Sequence, residues 1–235
     1  MRIGALILCR YNSSRLPGKI LKPVKGKPIL ENIHRRLQSV NLLSEIVVCT
    51  SDQESDEPIV EFCEDLKISY YRGSLDNVAH RFLSAAEQYD LDYVIRINGD
   101  NIFVDTDLLS EMCAAAMTSE YDFISNLPGR TFPYGMSIEI VRTKYYQEVF
   151  SRFKNSEHLE HVTKYLYDNE SEIPSFKYFT NNVFPFLQQL QLAVDTSEDY
   201  HNAIIITSEL PQFPEVYSLA DIDRVISKLN LNLKK

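Results

Sequence analysis

The chain has 235 residues, 44% of them hydrophobic and 24% charged, with a formal net charge of −9 at pH 7. That length and apolar content suit one well-buried domain over residues 1–235 rather than two small ones, and the acidic balance speaks against nucleic acid or an anionic membrane as a partner. Positive charge is local: residues 1–30 hold seven Lys and Arg and no acid, which leaves 17 bases against all 33 acids in the remainder.

The first apolar run is "IGALILC" (3–9). It is too short to span a bilayer or to lead a secretory signal, and Leu8 before Cys9 is wrong for cleavage, so it reads as a buried strand of a cytoplasmic protein. Cys9, Cys49, Cys63 and Cys113 are widely spaced with no C-x-x-C pair, a pattern of reduced thiols rather than disulfides or a zinc site. Further strands are predicted at "EIVVCT" (45–50), "ISYY" (68–71) and "DYVIRI" (92–97), with helices near 28–40, 56–66 and 76–89. Strand-helix alternation implies a largely parallel sheet with right-handed crossovers and helices on both faces. Such sheets bind ligands at the carboxyl ends of their strands, which aligns the loops 10–19, 50–52, 72–74 and 98–100 along one edge.

The C-terminal half is less regular. Residues 132–186 carry 13 of the 26 aromatic residues, interrupted by Pro133, Pro174 and Pro185. This excursion could be a substrate lid, a dimerisation arm or part of the core; Phe150, Phe153, Tyr165 and Tyr167 lie near helical spacing and are candidates for a homodimer interface, with intramolecular packing as their other role. A strand-like run "LQLAV" (190–194) and helices near 197–209 and 218–229 complete the chain.

The basic loop after the first strand carries the chemistry. Pro17-Gly18 enforces a turn, Ser13 and Ser14 offer hydroxyls, and Arg10, Arg15 and Lys19 converge above the strand end. Several cations with exposed backbone N–H groups suit a polyphosphate, while Lys22, Lys25 and Lys27 read as a solvated surface. No Walker A loop is present.

The decamer R-x-x-S-x-R-L-P-G-K, here Arg10, Ser13, Arg15, Leu16, Pro17, Gly18 and Lys19, resembles the triphosphate loop of the cytidylyltransferases. That family includes CMP-Kdo synthetases, CMP-sialic acid synthetases and spore-coat polysaccharide biosynthesis proteins. "GKPIL" (26–30), "RGSLDNVAHRF" (72–82), "RINGDNIFVD" (96–105), "PYGMSIEI" (133–140), "EHVT" (160–163) and "VDTSEDY" (194–200) follow in the family's order, nearest to the spore-coat type. The resemblance implies a Rossmann-like nucleotidyltransferase fold, three-layer α/β/α with a mostly parallel mixed sheet. It implies transfer of CMP from CTP to a small acidic sugar, an ulosonic acid, with release of pyrophosphate. Arg15, Lys19 and Asp100 would be catalytic; Arg10, Ser13, Arg72, Gly73, Ser74 and Asn98 would join them on the nucleotide. Asp100 and Asp195 would hold Mg²⁺, and Tyr134, Gly135, Glu139 and His161 would face the acceptor. Two copies of the chain would pair as a homodimer through the excursion.

Tyr134 and Ser137 stand where the spore-coat type usually has aspartates, and Ile102 where it has proline. These departures keep a non-catalytic nucleotide-binding protein open. A metal-dependent glycosyltransferase is the other alternative, with "DTD" (105–107) as its metal motif; the same acids fit a helix start. Asp195 could likewise be a helix N-cap before Thr196 and Ser197. His158 reads as structural.

Overall fold

The computed structural model describes residues 1–235 apart from 189, 211, 230, 232, 234 and 235. The first apolar run forms β1 (Ile3–Leu8), and its pleat sends Ile3, Ala5 and Ile7 to one face and Leu6 to the other, all buried. A hairpin of β2 (Pro23–Val24) and β3 (Lys27–Pro28) closes the basic loop and leads into α1 (Ile29–Gln38). Alternation then continues through β4 (Glu45–Ser51), α2 (Glu57–Leu66), β5 (Tyr70–Gly73), α3 (Val78–Gln88) and β6 (Tyr93–Asn98). The second half holds α4 (Thr106–Met117), β7 (Phe123–Ser125), β8 (Glu139–Arg142), α5 (Thr143–Phe150), α6 (Ser156–Glu160), α7 (Lys164–Asp168), β9 (Phe176–Tyr178), α8 (Ser197–Glu209) and α9 (Leu219–Leu229).

Seven strands form one sheet in the order β5-β4-β1-β6-β8-β7-β9. β5, β4, β1 and β6 pair in parallel, and β8 runs antiparallel to both neighbours, β6 and β7. β7 and β9 pair in parallel beyond it. One core lies between the sheet and the side chains of α1, α2, α4, α8 and α9; the other lies between the opposite face and α3, α5 and α7. Burial on both faces explains why the central strands read as unbroken apolar runs, and each fully buried Leu or Ile contributes about 1.5–3 kcal/mol. The expected three-layer α/β/α architecture with a mostly parallel mixed sheet is the one observed.

One expectation changes. "LQLAV" is not a strand: its only ladder contact is an isolated bridge between Tyr134 and Gln191, because Tyr134 alone takes the backbone pairing offered by Leu190 and Leu192. Phe150, Phe153, Tyr165 and Tyr167 pack inside the subunit, with Phe153 stacked on Tyr165 at 4.9 Å between ring centroids and Tyr167 edge-on to Phe123 at 5.3 Å. They pack with the second core, the intramolecular role that the sequence also allowed them. All four cysteines are free and buried, and burial holds the Cys49, Cys63 and Cys113 thiols at about 12.

Candidate functional site

The carboxyl ends of β1 and β6 deliver Arg10 and Asp100 to the same edge, one strand apart. The loop after β1 is built by backbone hydrogen bonds: the N–H groups of Ser13 and Gly18 both donate to the Tyr11 carbonyl, at 3.0 and 2.9 Å. Gly18 sits at φ 67°, a left-handed conformation that suits a residue without Cβ. Asp56 anchors this loop from below by accepting from Tyr11 N–H at 2.7 Å and from Thr50 and Ser51. Burial pushes the Asp56 carboxyl up, but the hydrogen bonds from Ser51, Tyr11 and Thr50 outweigh it and hold the carboxyl below its usual range.

Lys19, at the loop's end, reaches across to the ends of two other segments. Its Nζ donates to the Val194 carbonyl at 2.8 Å, to Asp195 Oδ1 at 3.0 Å and to Asp100 Oδ2 at 3.4 Å. Arg15, more exposed, joins Asp195 at 2.9 Å. Burial raises the Asp100 carboxyl; Lys19 opposes that shift and the neighbouring Asp195 reinforces it. Asp195 is not the cap of α8. Thr196 is, in a capping box with Asp199, which leaves the Asp195 side chain to the two cations.

Asp100 and Asp195 form a wall shared by two cavities. One is a cleft of about 650 Å³ above β1, bordered by Arg10, Ser13, Arg15, Lys19 and Asn98. The other, about 450 Å³, is bordered by Arg130, Tyr134, Gly135, Glu139 and Lys164. His161, Asn98 and Arg96 line both. Gly135 has φ 91°, and a Cβ there would lie 2.4 Å from the Ala193 nitrogen, so only glycine lets segment 133–136 lie against 192–193 and present Tyr134 to the second cavity.

Some expected residues sit elsewhere. Arg72, Gly73 and Ser74 do not line the cleft: Arg72 is turned toward Glu57, at 2.8 Å, and the carbonyls of Ser51 and Gln53. Leu75, Asp76, Val78 and Arg81 form the wall instead. Glu139 borders the second cavity, yet its carboxylate is fully buried, paired with Arg96 and accepting from Thr163 and from the Tyr167 hydroxyl at 2.9 Å. His158 holds Asp168 at 3.1 Å, the structural role expected of it. Lys25 donates to the Leu210 carbonyl and Lys27 pairs with Glu31, both away from the site.

Of the "DTD" acids, Asp105 is a helix cap and Asp107 lies in the first turn. Asp105 Oδ1 accepts from the N–H groups of Asp107 and Leu108 at 3.0 and 3.1 Å at the start of α4, and this removes the metal motif of the glycosyltransferase reading. Sequence reasoning missed Arg81, Arg96 and Arg130. For Arg81 a signal existed: it falls on the inward face of α3, among Ala79, Phe82 and Ala85, where a cation needs a reason.

A doubly wound sheet with a cationic loop after its first strand and a carboxylate pair facing it defines a nucleotidyltransferase. The cytidylyltransferase family model matches residues 4–230, and the chain belongs to that family. It is a CTP-dependent nucleotidyltransferase. Its sequence is 30% identical over 237 residues to the spore coat polysaccharide biosynthesis protein SpsF of Bacillus subtilis, covering 97% of this chain and 93% of that one. The structure resembles a cytidylyltransferase from Leptospira borgpetersenii serovar Hardjo-bovis with TM-score 0.89 and 28% identity, covering 98% of this chain and 95% of that one. A CMP:2-keto-3-deoxy-manno-octonic acid synthetase complexed with CTP matches at TM-score 0.68 and 16% identity, covering 89% and 100%, a likeness of fold alone.

Proposed function

We propose that this enzyme transfers the cytidylyl group of CTP to the anomeric hydroxyl of an acidic sugar of the ulosonic acid class, in the cytoplasm, for surface polysaccharide or glycan synthesis. The acceptor oxygen attacks the α-phosphorus in line from the second cavity; the bond between the α-phosphorus and its bridging oxygen breaks, and pyrophosphate leaves into the cleft with that electron pair. The hydroxyl proton passes to solvent. Arg10, Ser13, Arg15 and Lys19 hold the triphosphate, and Asn98, which lines the same cleft, contacts the nucleoside. Positioning and fixed charge supply most of the rate.

The observation that carries the acidic acceptor is Arg130. In the second cavity Arg96 is matched by Glu139 and Lys164 by Asp168, whereas Arg130 has no carboxylate partner among the described residues and lies over the Tyr134 ring at 4.6 Å. An uncompensated guanidinium suits a carboxylate. Tyr134 in place of the usual aspartate supports the same reading, since it carries the cation without neutralising it.

Asp100 and Asp195 offer two hard carboxylate oxygens, the donor set Mg²⁺ takes when phosphate oxygens and water complete its shell. These two residues would hold the ion, and bound there it would supply positive charge to the α-phosphate. A homodimer is the proposed assembly. Support comes from β9, at the end of the sheet, whose first residue Phe176 is 40% exposed, and from Val183 and Phe186, 76% and 59% exposed. Among the described residues no helix is long and apolar enough to cross a membrane.

Pyrophosphate release from CTP and Mg²⁺ with a panel of acidic sugars and their neutral counterparts tests the reading. Turnover is expected with an acidic sugar and not with its neutral counterpart. Equal turnover of both would remove the acidic-acceptor assignment. Light scattering is expected to give twice the 27.2 kDa chain mass.

A further inference from the structure

Arg81 borders the cleft from the first turn of α3 and is only 4% exposed. Among the described residues no carboxylate pairs with it. One of its terminal nitrogens donates to the Ser74 carbonyl at 2.7 Å, and its Nε is buried with no hydrogen-bond partner among the described residues. The nearest acid in charge terms, Asp56, is already occupied by Tyr11, Thr50 and Ser51. Burial pushes the Arg81 guanidinium down from its usual range. A cation taken out of water and left partly unpaired is expensive, and such groups persist where something outside the chain completes their hydrogen bonds.

Its place in the cleft says what that something is. The transfer centre at Asp100 and Asp195 is shared with the second cavity; Arg81, Leu75 and Val78 border only the cleft, on the side that the second cavity does not reach. A nucleotide with its α-phosphate at the carboxylates and its outer phosphates along the cationic loop puts its base on that far side. The wall there combines apolar Leu75, Val78 and Cys9 with the Asp76 carboxylate and the Arg81 guanidinium, a surface that covers a flat ring and addresses its polar edge.

We propose that Arg81 is the specificity-determining residue for the base, donating to the adjacent O2 and N3 acceptors of cytosine. A guanidinium has donors and no acceptor. Cytosine presents two neighbouring acceptors on that edge, whereas uracil presents an N3–H, which would face a donor with a donor. Rejection of an analogue that leaves a buried polar group unmatched is far stronger than rejection by shape. The inference rests on the CTP dependence of the enzyme and is independent of the acceptor.

Calorimetric titration of the full chain with CTP, UTP, 3-deazacytidine triphosphate and pyrophosphate tests it. The deaza analogue replaces N3 with C–H and leaves O2 in place. Wild type is expected to bind CTP about tenfold or more tighter than either analogue, the size of a hydrogen bond from a charged donor. Arg81→Lys and Arg81→Gln are expected to bring both ratios to within about threefold while pyrophosphate affinity holds. Wild type that binds the deaza analogue as well as CTP would overturn the proposal, and that measurement needs no variant to fold. So would variants in which CTP, UTP and pyrophosphate weaken in parallel, since Arg81 would then be holding the loop or the phosphates.

Discussion

In the cleft above β1, the groups proposed to meet the nucleotide are fixed by backbone and by buried anchors. Asp56 and the Tyr11 carbonyl shape the loop, so Arg10 keeps no ion partner among the described residues and Arg15 and Lys19 gather at Asp195. In the second cavity the charged groups fix one another: Arg96 with Glu139, Lys164 with Asp168. Under the proposed function, the contrast implies that the two substrates are recognised by different means. The triphosphate would meet Arg10, unpaired among the described residues, beside Arg15 and Lys19 already drawn to Asp195, and the acceptor would meet a surface whose cations are paired except at Arg130.

The comparison breaks first if the second cavity does not depend on its internal pairs. Glu139→Ala strands Arg96 and takes the acceptor from Thr163 and Tyr167, and is expected to cost about 3–5 kcal/mol in urea unfolding, as when one member of a buried pair is removed. A loss below 1 kcal/mol would mean that the pair is not what organises this wall. On the cleft side, Lys19→Ala should lower kcat with CTP by about 3 kcal/mol in barrier height while the fold persists. Unchanged turnover would sink the role given to the loop.

Arg130→Gln sharpens the contrast, because it should lower kcat/KM for the acidic acceptor by about 2 kcal/mol and leave the KM for CTP alone. An equal effect on both substrates would merge the two cavities into one site. Asp105→Ala lies outside both and should cost about 1 kcal/mol of stability through loss of the α4 cap, with CTP turnover intact; abolished turnover would revive the "DTD" metal motif. The smallest effect belongs to Asp100. Its carboxyl is raised by burial, so ionising it costs the folded chain stability as pH rises through and beyond the ordinary carboxylate range. Asp100→Asn is therefore expected to leave the ligand-free melting temperature at neutral pH no lower than wild type and to flatten its fall from acid to neutral pH. A steeper fall in the variant would contradict the direction of that shift.

What could be read from the sequence was what is contiguous. β1, β4 and β6 are unbroken apolar runs, and the cations of 10–19 stand together in a loop, so both are legible without knowing the fold. The helices expected near 56–66 and 76–89 appear as Glu57–Leu66 and Val78–Gln88. β7 and β9 have three residues each and take their identity from neighbours far along the chain. "LQLAV" has the composition of a strand, yet the partner across from it is a single tyrosine in a loop held by Gly135. Arg96 was in plain view within "RINGDNIFVD", but its role depends on Glu139, 43 residues on. Arg130 follows the left-handed Gly129 and lies over Tyr134, a meeting that no periodicity announces.

The wall of Asp100 and Asp195 has a stereochemical consequence. A nucleophile that enters from one side of it and a leaving group that departs on the other occupy opposite faces of the phosphorus. Direct transfer across such a wall turns the phosphorus inside out, so a CTP made chiral at the α-position by sulfur substitution should yield product of inverted configuration. A relay through a side chain of the enzyme would displace twice and return the original hand.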